Sequence, residues 1–503
     1  MVKNELFNLT YPCQVITEMG GKNAIIVTTN AELDETVDGI LYSAFAHAGQ
    51  KCSAASRLIV DEAIRNRLVK RLQSAVKDLE VGTAFEMKTA VNPVITKEDQ
   101  ERLRRQVGEA RQEADRFGGR VLVDRSQEEL PGHCVGPVLI ELPKNRAYDK
   151  ESFLQRELFG PVLHLVTYTN LDEAIRLFND TDYGLTGGVY SQSQDDIDFF
   201  SSRMEYGNVY ANRPITAARV SIEPFGGFKL SGTGPKAGSR YYLPVFHVNP
   251  MKETEHAGES PENGKGSEYD FDLCKSSGLG TTMRRVRMMG ALDEMIQHFE
   301  VLYQGLYSDN KDVLMSFRKW VYREFKDFQL RRHWNRRIPG QLSYNNLELM
   351  QDKCVVVSFE RRAYFSSLMQ VLSATLMGVG VTVVARNEQA YNWWSQLKNV
   401  LARAGFSREN IDVYYTSENR LKEILKKPDL STVIIDGHLE HVKEILELSA
   451  EAKEVTRVRS HVCPQDSPDV RDFKRLCSQF AQVRSFAVNT MRHGAPFELQ
   501  LND

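Results

Sequence analysis

Residues 14–60 read QVITEMGGKNAIIVTTNAELDETVDGILYSAFAHAGQKCSAASRLIV. The segment from Gln14 to Thr28 runs into the apolar block AIIV, the pattern of a buried strand. Apolar residues then recur at helical spacing from Ala31 to Ala48, with Asn30 in the capping position and Gly49 as the stop. SRLIV predicts a second strand. Outward from here the order continues as a charged helix from Asp61 to Glu80, a helix from Lys97 to Phe117, and strands in VGPVLIEL and PVLHLVTY. Alternation of this kind predicts an α/β fold, a mixed or parallel sheet with helices packed on it.

The composition changes after Phe246. Residues 249–268, NPMKETEHAGESPENGKGSE, are rich in Glu, Gly, Pro and Ser and offer almost nothing to bury, which predicts a linker over 248–270 between domains at 1–247 and 271–503. A helical stretch from Met283 to Arg332 follows, then CVVVSF, VTVVAR, IDVYYT and TVIID with helices between them. This is a second α/β unit of doubly wound appearance.

Bulk properties narrow the function. The 503 residues are 42% hydrophobic and 26% charged with a net charge of −3, a balanced surface that does not favour nucleic acid as partner. Seven cysteines, at 13, 52, 134, 274, 354, 463 and 477, show neither paired spacing nor CxxC, so a reducing, cytoplasmic setting is expected. The N-terminus lacks the apolar core of a signal peptide. The longest apolar run, Leu368 to Ala385, is broken by polar residues and glycine, so no transmembrane segment is expected. His438 and His441 lack further ligands nearby, so no metal site is expected. RRHWNRR at 331–337 reads as a solvated helix end.

Cys52 is the chemically suggestive residue. It follows a helix of small residues (AFAHAG) in the loop GQKCSAASR, where a thiol can be exposed while a backbone N–H faces a developing oxyanion. Aldehyde oxidation through a thioester needs such a thiol, a carboxylate to activate water, and a hydride acceptor.

GQKCSAASR resembles the nucleophile loop of the aldehyde dehydrogenases, and TEMGGKNAIIV, starting 35 residues before Cys52, resembles that family's glutamate motif. QRELFGPVLHL and PFGGFKLSGTGPKAG are similar to two further family segments. The resemblance implies that Cys52 is the nucleophile and Glu18 the base that activates the deacylating water. It implies NAD as cofactor, contacted by Glu157 and Phe159, with Gly20 in a double-glycine turn near the nicotinamide. CSAASR and NRPITAARVSIEPFGG resemble the glutamate semialdehyde branch, which includes the bifunctional proline utilization A enzymes. That implies an anchor loop at Ala217-Ala218 for the substrate α-carboxylate, with Ser53 assisting and Phe225 as an aromatic wall. Ala217 stands where the branch usually has glycine, and Arg219 and Glu223 also depart from its pattern.

In the family a Rossmann-type cofactor half precedes the glutamate motif, and only 17 residues precede Glu18. A separately encoded N-terminal half is therefore an expected partner, beside a small aldehyde substrate and a homo-oligomeric neighbour. RIPGQLSYNNLELMQDKCVVVSF and the strands after it resemble a degraded copy of that half. Arg362, Arg386 and the DGHLEH turn from Asp436 occupy its chemical positions, which implies a non-catalytic C-terminal domain. Two other readings stand beside oxidation of glutamate semialdehyde: a non-catalytic structural or regulatory fragment, and a dehydrogenase of another aldehyde.

Overall fold

The computed structural model describes residues 16–216, 218–220, 222–239, 241–243, 273–278, 280–302, 308–325, 328, 333–338, 341–349, 353–359, 365–427, 430–437, 441, 444, 445, 448, 471–489, 491, 492, 495 and 496. The expected linker at 248–270, together with Ala217, Arg362 and His438, lies outside these residues.

The first strand, β1 (Asn23–Val27), is buried at every position, as a run of apolar residues in the middle of a parallel sheet must be. Helix α1 (Leu33–Phe45) is capped by Glu32, whose side chain accepts from the Glu35 N–H. The expected cap, Asn30, is engaged elsewhere: its Nδ2 donates to Asp196 at 3.0 Å. The helix also stops earlier than expected, at Phe45, because His47, Ala48 and Gly49 all adopt left-handed backbone and break the helical ladder ahead of Cys52. Strand β2 (Ala55–Asp61) leads into α2 (Glu62–Asp78), capped by Asp61.

Helix α3 (Lys97–Phe117) starts at Thr96, which accepts from the Asp99 N–H, and ends on left-handed Gly118. Its buried Leu103, Val107, Ala110 and Ala114 lie at helical spacing. Strands β3 (Arg120–Asp124), β4 (Val138–Glu141) and β5 (Val162–Tyr168) follow, then α4 (Leu171–Asn179), β6 (Thr186–Tyr190), α5 (Gln194–Arg203) and β7 (Asn208–Ala211). Strands β8 (His333–Ile338) and β9 (Gln341–Leu349) form an antiparallel pair. Residues 333–337 of RRHWNRR are thus strand, not the expected helix end, because they hydrogen bond to β9.

Strands β10 (Lys353–Ser358), β11 (Gly380–Ala385), β12 (Ile411–Tyr415) and β13 (Leu430–Asp436) precede the last long strand, β14 (Ala481–Asn489). Two main sheets result. The first has ten strands in the order β8-β9-β14-β7-β6-β1-β2-β5-β4-β3. Its centre, from β14 to β4, includes parallel neighbours at each pair from β14–β7 to β5–β4. The second has four parallel strands in the order β12-β11-β10-β13. That order reverses direction beside β10, as in a Rossmann half. At the carboxyl end of β13, buried Asp436 accepts from Ser358 Oγ at 2.6 Å and Ser367 Oγ at 2.8 Å.

The described residues divide into two compact units, one drawn from 16–242, 333–346 and 483 onward, the other from 243–332 and 347–482. The division is not a single cut near residue 248. Strands β8, β9 and most of β14 hydrogen bond into the ten-stranded sheet, which takes their segments into the first unit.

Candidate active site

Three sequence-distant segments meet because each immediately precedes one of three adjacent parallel strands. Glu18 to Lys22 runs into β1, Cys52 and Ser53 into β2, and Glu157 to Gly160 into β5, and the sheet order places these strands side by side. Parallel alignment puts their amino ends on one edge, so topology alone converges the motifs. Side-chain bonds then fix the details.

Asn23, fully buried at the head of β1, holds the cysteine loop. Its Nδ2 donates to the Cys52 carbonyl at 2.7 Å and the Ala54 carbonyl at 2.9 Å. Its Oδ1 accepts from the Thr186 N–H at 3.0 Å, and Thr186 Oγ1 donates to the Ser53 carbonyl at 3.0 Å. Behind it, buried Arg57 donates to the carbonyls of Lys22, Leu177 and Phe178 and to the Tyr206 hydroxyl. Sequence reasoning assigned neither Asn23 nor Arg57. The available signal was a polar residue opening an otherwise apolar strand.

Cys52 is half-buried, whereas Cys134, Cys274, Cys354 and Cys477 are buried. Burial raises its thiol above the usual value, the carboxylates of Glu18 and Glu157 raise it further, and backbone N–H groups of Ser53 and Cys52 itself pull it down. The resting group is therefore a thiol, and a proton acceptor is needed for attack.

Glu18 is exposed over the residue as a whole, yet desolvation around its carboxyl pushes its pKa up to about 7, against the opposing Lys236 ammonium. That value suits a base working near neutral pH. Backbone bonds fix the segment: the Met19 N–H donates to the Ser231 carbonyl at 2.9 Å, and the Thr17 N–H donates to Thr233 Oγ1 at 2.9 Å. Lys236, also missed in the sequence, is buried and donates to the Gly207 carbonyl at 2.6 Å and Ser485 Oγ at 3.2 Å.

Glu157 accepts from the Gly21 N–H at 3.0 Å. Burial raises its carboxyl, while that N–H and the Lys22 ammonium lower it. Lys22 is fully buried and pushed down to about 7, first by desolvation and then by Arg57. A Cβ on Gly20 would lie 1.9 Å from Glu157 Oε2, so glycine is what lets the turn and the carboxylate approach. Phe159 has φ 54 and is 36% exposed beside them. The expected cofactor contacts Gly20, Glu157 and Phe159 thus lie on the same edge of the sheet as Cys52 and Glu18.

The expected substrate residues are less uniform. Ser53 is buried, and Ala218 and Phe225 are half-buried. Phe225 exchanges both backbone bonds with Ala237 at 3.0 and 2.9 Å. Ala217 is not among the described residues. Neither a cluster of three metal-ligating side chains nor a helix long and apolar enough to cross a membrane occurs among the described residues.

A half-buried thiol, a carboxylate pushed toward neutrality and a second carboxylate against a glycine turn thus share one edge of the sheet. Residues 10–248 match the aldehyde dehydrogenase family. Over 237 residues it is 36% identical to the 1-pyrroline-5-carboxylate dehydrogenase of Staphylococcus haemolyticus, covering 47% of this chain and 44% of that protein. The enzyme of the same name from Staphylococcus aureus is 37% identical over 235 residues, covering 46% and 43%. A solved Thermus 1-pyrroline-5-carboxylate dehydrogenase with bound NAD is 37% identical, covers 46% of this chain and 43% of its own, and has a TM-score of 0.43. Proline utilization A from Bdellovibrio bacteriovorus is 41% identical over 46% of this chain and 23% of its own, with a TM-score of 0.42. The chain spans less than half the length of these curated relatives.

Proposed function

We propose that this protein contributes the catalytic domain of a glutamate γ-semialdehyde dehydrogenase, with NAD as hydride acceptor. The observation that carries the reading is the convergence of Cys52, Glu18 and Glu157 on one edge of adjacent parallel strands. Cys52 sulfur bonds to the aldehyde carbon, and its proton passes to a nearby base. NAD supplies a hydride acceptor. Gly20, Glu157 and Phe159 are the residues that would hold that cofactor. Once the aldehyde carbon has given up its hydrogen as hydride and its hydroxyl has lost a proton, the thioester left on Cys52 is hydrolysed by a water whose proton Glu18 accepts, releasing glutamate and the thiol.

Ser53, Ala217, Ala218 and Phe225 are the proposed substrate contacts, with backbone N–H groups of the loop meeting the α-carboxylate. A separately encoded cofactor half and a homo-oligomeric neighbour are the proposed partners, and the C-terminal α/β unit is proposed to be non-catalytic. The names of the relatives support the substrate class. Steady-state NAD reduction tests it: kcat/KM for glutamate semialdehyde should exceed that for an uncharged aliphatic aldehyde of equal length by about 10²-fold, since a site built for a polar group discriminates strongly. Equal values for the two aldehydes would overturn the substrate assignment.

A further inference from the structure

Strand β9 presents a polar face where a sheet strand ordinarily packs apolar side chains. Gln341, Ser343 and Asn345 are 3%, 0% and 0% exposed. Their spacing of two puts them on one face of the strand. All three bond to the loop after β7, about 120 residues earlier in the chain.

Glu223 is the centre of these bonds, with its side chain wholly buried. Its carboxylate accepts from Gln341 Nε2, from Ser343 Oγ at 2.8 Å and from the Arg219 N–H at 2.5 Å. The Arg213 guanidinium stands 3.7 Å away and donates to Gln341 Oε1. Gln341 Nε2 also donates to Ser343 Oγ at 2.7 Å, and Asn345 Nδ2 donates to the Ile222 carbonyl at 2.9 Å. A buried carboxylate with three donors and a nearby guanidinium is compensated, and removing it strands all of them. The bonds bracket residues 213–223, the segment that contains Ala217 and Ala218.

We propose that Glu223, tied to Gln341 and Ser343, is a positioning residue for aldehyde selection: β9 sets the shape of the loop that receives the substrate carboxylate. This rests on the proposed function, because it takes that loop as the carboxylate anchor. Glu223 touches no reacting atom. Its effect passes through the loop.

The test uses the full chain and two variants, Glu223→Ala and the double variant Gln341→Ala/Ser343→Ala. Amide exchange read by mass spectrometry should quicken about tenfold or more across 213–225 and stay unchanged across 49–57. The rate of Cys52 alkylation by iodoacetamide, without ligand, should also be unchanged. The glutamate concentration that halves that rate should rise about tenfold, the equivalent of one lost factor of ten in affinity. A variant that merely loosens the fold would instead speed Cys52 alkylation and exchange throughout the unit, which would overturn the proposal. Unchanged exchange over 213–225, or unchanged protection by glutamate, would overturn it as well. If glutamate fails to protect wild-type Cys52, the parent reading of the substrate falls and this proposal falls with it; protection in wild type with no shift in the variants sinks this proposal alone.

Discussion

Asn23→Ala is expected to disable the site by releasing the cysteine loop rather than by touching any reacting group. The side chain closes three hydrogen bonds, at 2.7, 2.9 and 3.0 Å, to backbone groups of Cys52, Ala54 and Thr186. It is fully buried, so truncation leaves two carbonyls and one N–H without that partner. Each stranded buried group costs roughly 1–3 kcal/mol, and water entering the vacated space offsets part of it, so a loss of about 3–5 kcal/mol is expected. That is a large share of the typical ~5–15 kcal/mol stability of a folded domain. Urea unfolding followed by circular dichroism reads the loss. Asn23→Asp should fare no better, since it keeps the acceptor for Thr186 but turns an oxygen toward two carbonyls. The two variants should also change the alkylation rate of Cys52 at denaturant concentrations where the protein is still folded. A loss below about 1 kcal/mol in Asn23→Ala, with Cys52 reactivity unaltered, would refute the view that Asn23 holds the loop.

Limiting iodoacetamide should modify Cys52 ahead of the four buried described cysteines, because it alone among them is half-exposed; peptide mass mapping that finds Cys134 or Cys274 modified first would contradict this. Glu18 titrates at about 7, so hydrolysis that needs its carboxylate should climb as pH rises through 7, and Glu18→Gln should lose that ascending limb. The same shift bears on stability. The folded-state value lies above the 4.5 of the free side chain, so the stabilisation associated with the protonated form is present below about 4.5 and lost as pH rises through about 7; Glu18→Gln should therefore gain in Tm relative to wild type between pH 5 and pH 8. Gly20→Ala should fold, because the atoms nearest its methyl are the movable end of Glu157, yet NAD affinity by calorimetry should drop as that carboxylate swings off the Gly21 N–H.

Much of this architecture was legible in the chain because its strands are nearly pure apolar runs. AIIV, SRLIV and PVLHLVTY specify buried parallel strands with little ambiguity, and the thiol and carboxylate motifs sit directly before them. The sheet order was not legible, since nothing local to Glu18, Cys52 or Glu157 states that β1, β2 and β5 are neighbours. The RRHWNRR segment misled because a run of basic residues carries no period; the strand state of residues 333–337 comes from pairing with β9. Asn30 misled because a good capping residue was committed to Asp196 instead. The knot at Glu223 depends on contacts across more than a hundred residues, which local pattern cannot reveal.

On the proposed reading Cys52 carries the acyl group and Glu18 directs its removal. Intact-protein and peptide mass spectrometry of Glu18→Gln, mixed with the proposed cofactor-half partner, NAD and glutamate semialdehyde, reads this step. An acyl adduct should accumulate on Cys52, be short-lived in wild type and be absent from Cys52→Ser. An adduct on another cysteine, or NAD reduction that persists in Cys52→Ser, would overturn the assignment of both residues.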